Sequence, residues 1–197
     1  MRYNIRKLFL KSALLPVSFL LVACASPSVP DSYYLLSPMV QASGNPTSAQ
    51  PVVGVGPVSI PSYLDRSTSV TRSSANRPVV NSGHRWAEPV GENINRVLMD
   101  NLDQTGIASR LEVFPWTSRD QVDWQIVLDI DRFERQADGK VILTARWKLV
   151  SFESGEIAKA AKYSKVSTPV DGTIENTVVA MSTLLADLTS EIASQVR

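Results

Sequence analysis

Apolar residues recur at helical spacing near the C-terminus, where Ile174, Val178, Met181, Leu185, Leu188 and Ile192 fall on one face of a helix running from Asp171 onward. A second apolar stripe, formed by Val90, Ile94, Val97, Leu98 and Leu102, predicts a helix opened by Trp86-Ala87-Glu88-Pro89 and stopped at Gly106. From Val122 the period switches to two: Val122, Trp124, Ile126, Leu128 and Ile130 alternate with polar positions, Val127 excepted. Asp138-Gly139 then signals a hairpin. Taken as a two-residue loop, it sets Asp131 opposite Arg146 and Asp129 opposite Lys148 on one face, with Ile130 opposite Trp147 and Leu128 opposite Leu149 on the other. Arg132 and Phe133 fall on the wrong faces for this register, so a bulge or the end of pairing is expected there.

Further strands are predicted at 33–36, 52–60, 111–114 and 157–166, with short pieces around Val70 and around Val79 and Val80. The fold class read from this pattern is α/β: a single domain whose mixed sheet, including an antiparallel hairpin or meander, is covered by two main helices.

The N-terminus follows a different rule. Arg2, Arg6, Lys7 and Lys11 precede an apolar stretch that ends in Leu21-Val22-Ala23-Cys24, and Cys24 is the chain's single cysteine. A transmembrane helix is the competing reading, but residues 8–23 are interrupted by Lys11 and Ser12 and fall short of roughly 20 apolar residues. The segment is similar to a lipoprotein signal peptide, 1–23, followed by a lipidated tether, 24–32, and a domain, 33–197. That similarity implies acylation and cleavage at Cys24, with two or more acyl chains giving a stable anchor. The residue after the cysteine is Ala25 and not the aspartate that commonly retains enterobacterial lipoproteins in the inner membrane, so the expected location is the periplasmic face of the outer membrane. One cysteine excludes an intramolecular disulfide.

Charge narrows the partners. Four of the 20 basic residues and none of the 19 acidic ones precede Cys24, leaving 16 against 19 in the mature chain. A mildly acidic domain has no basic field for nucleic acid, and about 174 residues suffice for one core without a metal.

Candidate chemistry is sparse. His84 is the single histidine and lies near Ser82, yet no Gly-x-Ser-x-Gly elbow accompanies it, and it is read as a loop histidine. Asp123, Asp129 and Asp131 share one strand face and are expected to be solvated and partly ion-paired, with no metal. Gly54-Val55-Gly56 precedes a proline and not a helix, so it is no phosphate cradle. Trp124 and Trp147 belong to the predicted core face, whereas Trp86, Trp116, Tyr63 and Leu64 stand near turns.

Tyr33-Tyr34-Leu35-Leu36, the run from Val53 through Ile60-Pro61-Ser62-Tyr63-Leu64-Asp65-Arg66, Trp86-Ala87-Glu88-Pro89, and Phe133 followed by Asp138-Gly139-Lys140-Val141 up to Trp147 together resemble the PqiC lipoproteins, formerly called YmbA. The resemblance implies an auxiliary lipoprotein of an MCE-type intermembrane lipid transport system, with a three-layer sandwich similar to the anticodon-binding-domain type. It implies no cofactor and no catalytic residue, and only Cys24 carries over as a defined site. The expected partner is a PqiB-like MCE-domain protein, bound by a homo-oligomer matched to its symmetry, with Tyr63, Leu64 and Trp86 as candidate interface residues. Two other classes compete: a carrier holding lipid or lipopolysaccharide in its own cavity, and a periplasmic hydrolase, which the missing elbow disfavours.

Overall fold

A computed structural model of the chain describes residues 30–42, 47–116 and 122–196. In chain order the elements are β1 (Ser32–Tyr34), β2 (Val52–Ser59), β3 (Thr68–Ser74), β4 (Arg77–Trp86), α1 (Val90–Thr105), β5 (Arg110–Val113), β6 (Trp124–Arg135), β7 (Val141–Ser151), β8 (Ile157–Ser167) and α2 (Ile174–Val196). The eight strands form one mixed sheet. Its centre is β6, the longest strand, which pairs antiparallel with β7 along one edge. Its other edge is shared: the first half runs parallel to β2, and Arg135 at its end meets Thr71 of β3. Outward from these, β8 extends the β6–β7 meander, β5 lies parallel to β2, and β4 and β1 follow β3.

The two helices lie against each other and cover the face carrying Ile126, Leu128 and Ile130 of β6 and Leu143, Trp147 and Leu149 of β7. The single mixed sheet with its antiparallel meander and two helices is the fold class expected. The sides of β7 turned away from the helices carry Arg146 and Lys148 into solvent, as a half-buried strand requires.

α1 begins at Val90, after Trp86 has closed β4, so Trp86-Ala87-Glu88-Pro89 links the strand to the helix. Pro89 at the N-cap loses no hydrogen bond there, and Gly106 ends the helix in the left-handed region at φ +60°. Asn93 and Asn101 interrupt the apolar side of α1 and are wholly buried. Their carbonyl oxygens explain this: Asn93 Oδ1 accepts the Leu36 amide at 2.7 Å, and Asn101 Oδ1 accepts those of Met39 and Val40 at 2.9 and 3.1 Å. The expected strand at 33–36 therefore stops at Tyr34, and the following segment becomes a strap whose backbone is held by side chains.

The hairpin register needs correction. Gln136 donates its amide to the Lys140 carbonyl at 2.7 Å and Gly139 its amide to Gln136 at 3.0 Å, with Gly139 at φ +84°. The loop is thus the three-residue type with a left-handed glycine at its third position. A bulge at Asp131, between Ile130 and Arg132, adds a further shift. Asp129 consequently faces Arg146, Val127 faces Lys148, Leu128 faces Trp147, Ile126 faces Leu149 and Ile130 faces Ala145, replacing the pairs expected. Ahead of the bulge the total displacement is two residues, which preserves each face while changing each partner; between the bulge and the turn it is one. Asp131 still reaches Arg146, diagonally, at 2.8 Å.

On the outer side of β2, Gly54 leaves room for the Trp116 ring, which packs edge-on against Phe114 and Phe152. At Gly56 the backbone has φ +122°, and a β-carbon would lie 2.7 Å from Phe114 Cβ. Gly56→Ala is therefore expected to lower stability by about 2 kcal/mol, from backbone strain and the collision together. Thermal unfolding should show a fall of roughly 4–8 °C; an unchanged midpoint would refute this account of Gly56.

Candidate partner-facing surface

Residues 61–66 form a compact turn closed by the Leu64 and Asp65 amides donating to the Pro61 carbonyl at 2.9 and 3.3 Å and by Arg66 donating to Leu64 at 2.8 Å. The turn points two apolar side chains in different directions. Leu64 enters the core beside Val70, Trp86, Val90, Ile94, Phe133 and Met181. Tyr63 instead lies along the end of β3 and β6, where its hydroxyl donates to Glu134 Oε2 at 2.5 Å and its ring sits beneath the Arg72 guanidinium, 5.3 Å from the centroid.

Glu134 is 1% exposed, an unusual place for a carboxylate. The Asp131 bulge puts it there: the phase break sends Phe133 into the helix-side core and turns Glu134 to the opposite face, where it meets the Arg72 side chain of neighbouring β3. Its Oε1 accepts Arg72 Nε at 2.6 Å and both Nε and Nη2 of Arg132 at 3.0 Å. Burial works to raise the Glu134 pKa, but the hydrogen bonds from Arg72, Tyr63 and Arg132 outweigh it, and the group is held below the ordinary glutamate range. Burial, and then the hydrogen bond to that carboxylate, pushes Tyr63 up to about 12. The Arg72 guanidinium is held more firmly protonated by the same carboxylate.

Of the three candidate interface residues, Leu64 and Trp86 are 7% and 8% exposed and Tyr63 is half-buried. They support a surface more than they form one. Trp86 closes the floor of a groove of about 380 Å³ whose walls come from Asp65, Arg66, Ser67, Ala87, Glu88 and Pro89. Solvent meets the side chains of Ser62, Asp65 and Arg66 at the turn. The arrangement is a polar rim over a fixed aromatic base, which suits contact with a protein. Cys24 lies outside the described residues.

The remaining candidates have structural partners. His84 sits on β4 and shares a 2.9 Å hydrogen bond with the Tyr34 hydroxyl through Nδ1. Among the described residues no carboxylate is hydrogen-bonded to it. Neighbouring Arg85 pairs with Asp31. Asp123 accepts the Val52 amide at 2.8 Å, and Asp131 pairs with Arg146. Trp147 is buried and Trp124 partly so, both against the core. The cluster of Glu134, Arg72 and Arg132 was not legible in the sequence, although the misplaced Arg132 and Phe133 mark the bulge that creates it. No helix among the described residues is long and apolar enough to cross a membrane.

Residues 33–193 match the family described as ABC-type transport auxiliary lipoprotein component. The chain is 28% identical over 133 residues to the intermembrane transport lipoprotein PqiC of Escherichia coli, an alignment spanning 66% of this chain and 68% of that protein. PqiC of Shigella flexneri matches to the same extent. Among solved structures, an uncharacterized protein aligns with a TM-score of 0.70 at 19% identity, covering 86% of this chain and all of the other. A protein from Xanthomonas campestris aligns with a TM-score of 0.67 at 15% identity, covering 82% of this chain and 92% of its own. These two likenesses concern the fold. The resemblance to the PqiC lipoproteins seen in the sequence is borne out.

Removing the Glu134 charge leaves two guanidiniums converging without their anion, so Glu134→Gln should cost about 3 kcal/mol in urea unfolding at neutral pH. The depressed pKa also sets a direction. Stability from this group is complete above the ordinary glutamate value of 4.5 and is lost as pH falls through the lower folded value. Between about pH 5 and pH 3 the wild-type protein should therefore lose more stability than Glu134→Gln, the difference reporting this one carboxyl. Parallel losses in the two proteins would refute the assignment.

Proposed function

The chain belongs to the family of ABC-type transport auxiliary lipoprotein components, and on that premise we propose that it is an outer-membrane-anchored periplasmic lipoprotein that docks an MCE-domain protein during intermembrane lipid transport. The observation that carries this reading is the coincidence of two boundaries: the family match begins at residue 33, just beyond a lipobox that ends at Cys24. Tether and domain are thereby consecutive, as an anchored docking module requires. Fully extended, residues 25–32 reach at most about 29 Å, so the domain would work close beneath its membrane. The names of the PqiC relatives supply the intermembrane setting.

The protein acts by binding and not by turnover. Among the described residues, no carboxylate is hydrogen-bonded to His84, whose Nδ1 meets the Tyr34 hydroxyl, and Glu134 is engaged by arginines, so neither stands in a nucleophile–base pair. A carrier mode fares less well. The enclosed cavity bounded by Leu64, Val70, Trp86 and Phe133 holds about 10 Å³, at most room for one water, and the roomier spaces among the described residues are open surface grooves that would not enclose an acyl chain.

Docking is assigned to the turn at 61–66 and the adjoining Trp86 groove, with Tyr63 and Leu64 fixing the turn and Asp65 and Arg66 offering charges to the partner. The domain lacking residues 1–24 should capture the MCE-domain protein in a pull-down. An Asp65→Lys/Arg66→Glu variant should bind at least about tenfold more weakly, equivalent to 1.4 kcal/mol, with its thermal midpoint preserved. Full capture by that folded variant would reject the surface, and failure of the wild-type domain to capture any MCE protein would reject the function.

The anchor is tested separately. Cys24→Ala should accumulate as unprocessed precursor and take up no labelled palmitate, whereas continued labelling would reject anchoring through this thiol.

A further inference from the structure

Between the tip of the β3–β4 hairpin and the β6–β7 turn lies a groove of about 490 Å³ lined by Arg72, Ser74, Ala75, Arg132, Gln136 and Asp138. At its base the Glu134 carboxylate receives two guanidiniums. One carboxylate neutralises one of them, so this cluster of a buried acid and two partly exposed arginines carries a surplus positive charge. The arginines are also held in place with hydrogen-bonding capacity to spare. Arg72 commits Nε to Glu134 and Nη1 to the Ala75 carbonyl at 2.7 Å, and Arg132 commits Nε and Nη2 to Glu134. Arg72 Nη2 and Arg132 Nη1 have no hydrogen-bond partner among the described residues.

Nearby groups do not cancel the surplus. Asp138, the acid on the groove wall, already accepts the Lys140 amide at 3.1 Å and lies 3.7 Å from Lys140 Nζ. Arg135, beside Thr71, donates to the neutral carbonyls of Gly139 and Gly172. Arg77 stands opposite Ser74 at the hairpin tip. Arg72 and Arg132 thus line the groove with Glu134 as their shared anion and Asp138 as its acidic wall residue, while Arg135 also meets Asp171, on a mature chain whose overall balance is mildly acidic. Such segregation concentrates a positive potential in a concave, partly desolvated site.

We propose that this groove binds a phosphate-bearing anion, whether inorganic phosphate or the phosphodiester of a lipid headgroup. Guanidinium forks fixed by a buried carboxylate and by the Tyr63 ring are suited to the several acceptor oxygens of a phosphate, and little side-chain ordering remains to oppose binding. The volume accommodates a headgroup. The proposal stands on the groove alone and does not depend on the docking surface.

The test uses protein expressed from the full chain and purified in nonionic detergent, titrated calorimetrically at constant ionic strength with inorganic phosphate and with water-soluble glycerophosphoglycerol. Saturable binding is expected, weakened about tenfold or more in Arg132→Gln, recovered only in part in Arg132→Lys, which restores the charge without the fork, and unchanged in Lys148→Gln on the open sheet face. Tighter binding of the diester assigns a lipid headgroup, and equal or tighter binding of phosphate assigns the free ion. If Arg132→Gln does not fold, Asp138→Asn decides, since loss of that wall charge must tighten binding. The proposal is overturned if neither ligand saturates, if folded Arg132→Gln binds like wild type, if Asp138→Asn fails to tighten binding, or if a glutamate-rich peptide binds there in preference to both phosphates.

Discussion

One extra residue in β6, Asp131, governs both sides of this domain. Ahead of it, Ile126, Leu128 and Ile130 face the helices while the other edge of the strand runs beside β2. Beyond it the alternation is reset, so that Phe133 joins the same core and Glu134 turns to the opposite face, against the Arg72 side chain of neighbouring β3. A strand without the bulge would expose Phe133 or bury Arg132 instead. Burying Glu134 costs several kcal/mol of hydration unless its charge is met. Arg72, Arg132 and Tyr63 meet it, and in doing so fix β3, β6 and the turn at 61–66 to one another. The shape of the candidate docking surface is thus a consequence of a backbone irregularity in the central strand.

This division explains what the chain disclosed before its structure was known. Helical stripes on α1 and α2 and the alternation on β6 and β7 report which face is buried, because burial repeats with the period of the element. They do not report partners. Asp129 facing Arg146 and Asp129 facing Lys148 are equally compatible with the alternation, since a displacement of two restores every face. The deciding information was the turn geometry around Gly139 and the bulge, and a sequence expresses these only weakly. The same reasoning applies to Tyr63, Leu64 and Trp86. Proximity to a turn suggested projection, yet Leu64 and Trp86 complete the core and Tyr63 serves a buried acid.

Buried polar groups were illegible for a related reason. Asn93 and Asn101 stand among the apolar positions of α1, and Glu134 stands near the end of β6, with nothing beside them in sequence to mark their burial. Each is explained by a group distant in sequence: the strap amides for the asparagines, Arg72 and Tyr63 for the acid. A polar residue at a core position needs a partner, but nothing local names it.

The strap also bears on how an anchored domain sustains tension. On the proposed anchoring, force from the membrane enters through the tether at β1, whose three residues pair with β4. A strand so short offers little resistance by itself. Immediately after it, the Leu36, Met39 and Val40 amides are held by Asn93 and Asn101 of α1, the Ser37 amide is held by Ser182 of α2 at 3.1 Å, and Leu36 is sunk into the core. Pulling the strap free would break these bonds together and leave the buried asparagine carbonyls unpartnered, a larger barrier than opening a strand edge one residue at a time. The two asparagines on α1 thereby connect the load on the tether to the helices that carry the core.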